Sequence, residues 1–400
     1  MPIAVVPHPF GTRSRDELRQ IAAQCADELV QLVSKSAPQT SHKPGVARDA
    51  AVSQRAARVE APDDLYAINK LFRERRWSDG FPVFPPTPEA LEDMLRGTRR
   101  ARAEIVARIA PGFGAATVER IAINAVLAGC EPGYLPVLIA AVEAITAPEF
   151  NLQGVQTTTN PAAVWLIVNG PIAQRLEFNG GFNCLGQGAW ANATLGRALR
   201  LILQNIGGAL PGEMDRATHG QPGKYSFCCA ENEKMSPWEP LHVERGFAPD
   251  ASTVTVVGAA GTLNMTTLAR NADDLLRVIA DTMAHPPSND YWIGGEPWLI
   301  LAPEHAELLK DAGLDKAQVK LRLWQQSKML AGRMAGADLE RTQAARTAEL
   351  GAIGPETLLP ISPQPEGIGI IVAGGAGTHS VCIPTFGDTR SVTREVKNDM

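Results

Sequence analysis

The chain has 400 residues, 44% of them apolar and 20% charged, with a formal net charge of −5. This is the composition of a globular protein, long enough for one large α/β unit or for two to three domains. The acidic balance, with no basic stripe interleaved with aromatics, excludes nucleic acid as the expected partner. Six cysteines without regular spacing argue against a disulfide framework and for reduced thiols in a cytoplasmic compartment.

The opening residues, MPIAVVPHPFGTRSRDELRQ, lack the charged and apolar regions of a signal peptide. Residues 3–7 predict a short strand, and Asp16–Val33 a helix with Leu18, Ile21, Cys25, Leu29 and Leu32 at helical spacing. One strand and one helix cannot bury their apolar faces, so residues 1–34 are expected to dock on something else. Residues 35–60 lack an apolar period and predict a flexible linker, leaving 61–400 as the body.

In the body, a helix is expected over 62–76, followed by a turn at Asp79-Gly80 and a helix capped by Thr87 with Pro88 at its first position. Thr117 caps a third helix, and 133–147 predicts a fourth. The most apolar window, Ile121–Ile145, is broken by Asn124, Glu131, Pro132 and Pro136, which excludes a membrane span. AVWLIVNGP (163–171) reads as a buried strand, and Thr194–Ile206 as a helix stopped by Gly207-Gly208. Three more β-rich runs, STVTVVGAAG, PWLILAP and GIGIIVAGGAG, alternate with helices over 271–284, 303–312, 315–331 and 338–350. That alternation predicts mixed α/β layers.

The segment Pro211–Phe247 concentrates chemistry: His219, Cys228, Cys229, Glu231, Asn232, Glu233, Glu239 and His242 lie between helix-breaking glycines and prolines. In an extended YSFCCAEN run neighbours alternate faces, which puts Cys229 with Glu231 and Glu233. Glu231 or Glu233 could move a proton beside a thiolate, and His219, His242 and Glu239 could bind a divalent metal, zinc or iron. Core packing for the cysteines and salt bridges for the charges is the bland alternative. Two glycine-rich loops are further candidates. Gly374–Gly377 with His379 follows a strand and matches no nucleotide-binding pattern, so no nucleotide cofactor is expected. The run from Asn179 to Gly188 leads through Asn183 and Asn192 to a helix carrying Arg197, a place suited to an anion. Asn183, Asn192, Arg197, Asn232, Gly375 and His379 are thus the expected contacts of a small anionic metabolite.

DGFPVFPPT (79–87), TVERIAINAVLAGCEPGYLPVLIAAVEAI (117–145), the run from NLQGVQTTTNPAA to NATLGRALRLILQNIGG, PGKYSFCCAENEKMSPWEPLHVERGF and AGGAGTHS together resemble the C-terminal portion of the UGSC-motif (seleno)protein family. The resemblance spans roughly residues 62–395. Residues VVPHPFGTRSRDELRQIAAQCADEL resemble only the last strand and helix of that family's N-terminal domain, without its Sec/Cys-Gly-Ser-Cys segment. Asn160 stands where a histidine is expected, and Cys184 where a small or apolar residue is. The resemblance implies a subunit of a cytoplasmic hetero-oligomeric enzyme, a lyase or thiol-dependent oxidoreductase acting on a carbon–heteroatom bond, whose partner subunit carries the missing thiol domain. A self-contained metal-dependent lyase or hydrolase, and a non-catalytic scaffolding subunit, are the alternatives.

Overall fold

The computed structural model describes residues 13–35 and 56–397. The chain divides into two compact units, 1–52 and 53–400. In the first, helix α1 (Arg15–Lys35) covers the predicted helix. Ser14 and Glu17 start it: the Ser14 amide donates to Glu17 Oε2 (2.8 Å) and the Glu17 amide to Ser14 Oγ (3.3 Å), a reciprocal cap. The expected strand at 3–7 and most of the expected linker lie outside the described residues.

The second unit opens with α2 (Leu65–Glu74) and α3 (Pro88–Leu95), capped by Asp64 and Thr87. A hairpin of β1 (Ile105–Ile109) and β2 (Gly114–Thr117) follows. Next come α4 (Val118–Ala128), capped by Thr117 as expected, then α5 (Leu135–Ile145) and α6 (Leu152–Thr157). Strand β3 (Ala163–Asn169) leads through α7 (Pro171–Arg175) and α8 (Trp190–Asn205) to β4 (Cys228–Ala230). Short α9 (Leu241–Glu244) precedes β5 (Thr253–Ala259) and β6 (Leu263–Thr266). The chain continues through α10 (Ala272–Met283), α11 (Asn289–Ile293), β7 (Trp298–Leu301), α12 (Pro303–Asp311) and α13 (Lys316–Gln326). After β8 (Met329–Leu330), α14 (Gly336–Leu350) and β9 (Leu358–Leu359), it ends in β10 (Gly369–Val372), β11 (His379–Ile383) and β12 (Val392–Glu395).

Two four-stranded sheets, β12-β5-β3-β4 and β10-β7-β11-β6, organise this unit. Each has the same pattern: a parallel pair (β3 with β4, β7 with β10), then two antiparallel neighbours. Strands β6 and β12 cross over, each leaving the strand it follows in sequence to edge the other sheet. This exchange ties the sheets together.

Strand alternation makes four layers. Ala163, Trp165, Ile167, Cys229, Val257, Trp298, Ile300 and Ile371 point between the sheets. Val164, Leu166, Val168 and Val256 face α4, α5 and α8 on the outside, and Leu299, Leu301, Ile370 and Val372 face α10, α12 and α13. Trp165 and Trp298 meet edge-to-face at 5.7 Å across the inter-sheet layer. The expected α/β layering is what the structure has.

Among the described residues no single helix is long and apolar enough to cross a membrane. The pair Pro132–Ile145 and Pro148–Thr157 has the composition but bends by 75°, and α5 is buried in the core.

Candidate functional site

The C-terminal ends of the two parallel pairs face one another. The Asn232 amide donates to Val372 O (2.8 Å) and the Gly374 amide to Gly180 O (2.8 Å). Three stretches singled out in the sequence, 179–188, 228–233 and 373–377, therefore converge.

At this end the inter-sheet layer turns from apolar to polar. Nine buried side-chain nitrogen or oxygen atoms lack a hydrogen-bond partner among the described residues, and four of them gather here: Asn169 Oδ1, Glu231 Oε1, His242 Nδ1 and Thr253 Oγ1. Asn169 and Thr253 are cross-strand partners on β3 and β5. Buried polar groups are nearly always paired, so such a concentration marks the place.

Asn169 Nδ2 donates to two carboxylates, Glu231 Oε2 at 2.6 Å and Glu233 Oε1 at 2.9 Å. The Gly170 amide adds a bond to Glu233 Oε1 (2.7 Å) and the Leu241 amide one to Glu231 Oε2 (2.7 Å). Gly170 is required where it stands: its φ is +83°, and a Cβ there would lie 2.0 Å from Ala251 O. His242 is fully buried in α9, with Nε2 3.3 Å from Pro249 O and Nδ1 3.8 Å from Glu233 Oε1.

The two carboxyls differ in environment. Burial pushes Glu231 above the ordinary glutamate value; Lys316, 3.9 Å from its Oε1, and the bonds from Leu241 and Asn169 only partly oppose this, while Glu233 adds to it. Glu233 keeps 29% of its side chain exposed. Lys316, at the first position of α13, also binds Glu244 at 3.0 Å, and Lys320 holds the other Glu244 oxygen. Burial raises Glu244, but the two lysines outweigh it and leave that carboxyl below its ordinary value.

Several expected site residues lie elsewhere. His219 is exposed at the opposite end of β3, where the Thr218 amide donates to Thr159 O (3.0 Å) and Gln221 Nε2 to Pro161 O (2.8 Å). Seven strand residues separate those ends by about 20 Å. His219 therefore joins neither Glu231 nor His242, and Glu239 is an exposed side chain. Among the described residues no group of three or more His, Cys, Asp or Glu could hold a metal ion, so the His219, His242 and Glu239 set does not assemble.

Arg197 is not free for an anion. Its guanidinium clamps Asp79 through two bonds (2.7 and 2.9 Å) and also donates to the Phe81 and Pro82 carbonyls. Asn183 adopts a left-handed conformation (φ +60°) and ties Nδ2 to Gln187 O (2.6 Å). Asn192 is buried inside α8, which starts at Trp190 and not at Thr194; its side chain accepts from the Asn179 amide and donates to the Asn179 and Cys184 carbonyls. Both residues shape the 179–188 loop. Asn232 donates to Gly374 O (3.4 Å) and lies beside the site. Gly375 sits under the Phe182 ring, which a Cβ would approach to 2.0 Å. His379 is exposed on β11, within 3.2 Å of Asn264 and Thr266.

Cys229 shares the inter-sheet face with Glu231, as alternation required, and packs in the apolar cluster that also holds Cys184. Sequence reasoning missed Asn169, Thr253 and Lys316. Asn169 ends the apolar run AVWLIV, and a lone polar residue at the end of a buried strand was the available signal. No family model matches the chain, and no curated protein matches it.

Proposed function

We propose that the chain is the acid–base subunit of a cytoplasmic enzyme that makes or breaks a carbon–heteroatom bond in a small anionic metabolite. The observation that supports this most is the pair of carboxyl groups held by one amide, Asn169 Nδ2, amid four buried polar atoms without partners. Two carboxyls with different environments around one donor divide the roles of acid and base. Glu231, buried and raised, keeps its proton the longer; Glu233, partly exposed and fixed by Gly170 and Asn169, is the group that reaches substrate. His242 Nδ1 lies 3.8 Å from Glu233 Oε1. The Lys316 ammonium, held by Glu244 at 3.0 Å, lies 3.9 Å from Glu231 Oε1 and partly offsets the charge of the pair.

On this reading the thiol comes from a partner subunit carrying the Cys- or Sec-Gly-Ser-Cys segment, as the UGSC resemblance implies. The test is reconstitution of the two polypeptides with turnover of candidate metabolites followed by mass spectrometry. Activity is expected only in the mixture, and Glu233→Gln should abolish it. A fully active single chain would overturn the two-subunit assignment, and an unimpaired Glu233→Gln complex the acid–base assignment.

A further inference from the structure

At the opposite end of β3 from Glu231 and Glu233, two cations share one carboxylate. Arg200 projects from α8, Asp215 lies on the segment after it, and Lys224 ends the turn before β4. Lys224 Nζ donates to both oxygens of Asp215 (2.8 and 2.7 Å), and Arg200 Nη2 donates to Oδ2 (3.1 Å). Ala209 O (3.0 Å) and Gln156 Oε1 (3.2 Å) also accept from the Arg200 guanidinium. The side chains of Arg200, Asp215 and Lys224 are only 11%, 6% and 16% exposed. One turn earlier on α8, Arg197 is matched by Asp79. Three cations therefore stand against two carboxylates here, an excess of one positive charge.

Beside this excess lies a cavity of about 10 Å³, with Arg200 and Lys224 on its polar side and Ala163, Val164, Leu199 and Leu203 among its apolar walls. Asp215 does not line it. Such a volume has room for one body of about water's size. Arg200 Nε and one of the three Lys224 hydrogens have no acceptor among the described residues. An uncompensated buried charge is costly. Burial holds both Arg200 and Lys224 below their ordinary values although Asp215 opposes it, so one carboxylate does not satisfy two cations.

We propose that this cavity is a chloride site, in which the halide balances the charge that Asp215 leaves over on Arg200 and Lys224. The surroundings select that kind of ion. Two cations on one side recruit an anion, and the space suits a single atom rather than a phosphate or a carboxylate. The aliphatic walls favour an ion that gives up its water readily, as chloride and bromide do and the strongly hydrated fluoride does not. Bound there, the ion ties α8 to the segment that leads into β4 and stabilises the fold as any ligand of the native state does. The site is separate from Glu231 and Glu233 and stands whether or not those residues are catalytic.

The experiment titrates the full-length chain with sodium chloride, using sodium fluoride to keep the ionic strength constant. Chloride-35 NMR line width and the melting temperature are the readouts. The protein should broaden the chloride line, bromide should reverse the broadening, and the midpoint should lie about 3 °C higher in chloride than in fluoride. Lys224→Met leaves Arg200 and Asp215 paired one to one and should abolish both effects. Asp215→Asn removes the competing carboxylate instead and should tighten chloride binding by about tenfold or more, whatever its own stability. Absence of broadening by the wild-type chain, or equal broadening by Lys224→Met, would overturn the proposal. Weaker chloride binding by folded Asp215→Asn would overturn it independently.

Discussion

The two sheets end alike and are furnished differently. After β3 the chain runs Asn169-Gly170-Pro171, and after β7 it runs Leu301-Ala302-Pro303; β4 is followed by Glu231, and β10 by Ala373-Gly374. At the first sheet's end the side chains are carboxylates, an amide and an imidazole, with polar atoms left over. At the second they are small, and the polar groups close on themselves. Ser380 Oγ accepts from the Ala302 amide (3.0 Å) and meets His305 Nδ1 at 2.7 Å, while the Gly377 amide donates to Glu304 (2.9 Å). One frame thus supplies two equivalent places, and among the described residues only the first keeps a group of uncommitted polar atoms.

The comparison breaks most readily on activity. In the assembled enzyme Glu233→Gln should lower turnover by about 10²–10⁴-fold, the usual range for a lost acid–base group. His305→Gln at the matching place should leave turnover within about twofold. Equal losses, read in the same assay, would show that both strand ends serve the reaction.

A second contrast sets Glu231 against Asp290, the buried carboxyl of α11. Asp290 is saturated by Ser288 and by the amide and hydroxyl of Thr385, and burial still raises it to about 6 from 3.8. A raised carboxyl favours the native state in its protonated form. Its contribution is therefore complete below about pH 4 and is lost as pH rises through 6. A shift of roughly two units corresponds to about 3 kcal/mol. Wild-type unfolding free energy should fall by that amount relative to Asp290→Asn between pH 4 and pH 7, measured by denaturant titration at each pH. A constant difference across that range would mean that folding does not raise the Asp290 pKa.

The smallest effect is expected from Ser380→Ala. It leaves the Ala302 amide and the His305 ring without their partner inside the fold, at about 1–3 kcal/mol of stability, with turnover unchanged. Chemical denaturation and the activity assay together decide whether this pin is only structural.

What could be read from the sequence follows the range of the interactions involved. Caps at Thr87 and Thr117 and the long apolar runs at 163–169 and 253–259 are local signals, and the elements formed where they pointed. Strands β1, β2, β6, β11 and β12 were missed because four or five residues such as LNMT or VTRE carry too little alternation. Helix α8 starts four residues before the expected Thr194, whose hydroxyl donates to Trp190 O within the helix. The closeness of Glu231, Glu233 and His242 was legible because they crowd one segment. His219 was wrongly joined to them because β4 and β3 carry the two parts of that segment to opposite ends of a strand. Asn169 facing Thr253 and Lys316 facing Glu231 depend on register and tertiary packing, to which a single sequence gives no access.

The account rests on Glu231 being a buried carboxyl that keeps its proton beyond the ordinary range. Carbon-13 NMR of glutamate-labelled protein, with Glu231→Gln to assign the resonance, follows its titration directly. The account predicts a midpoint clearly above the ordinary glutamate value of about 4.3, moving down when Glu233 is replaced by Gln. A Glu231 midpoint at or below that value, unmoved by Glu233→Gln, would contradict it.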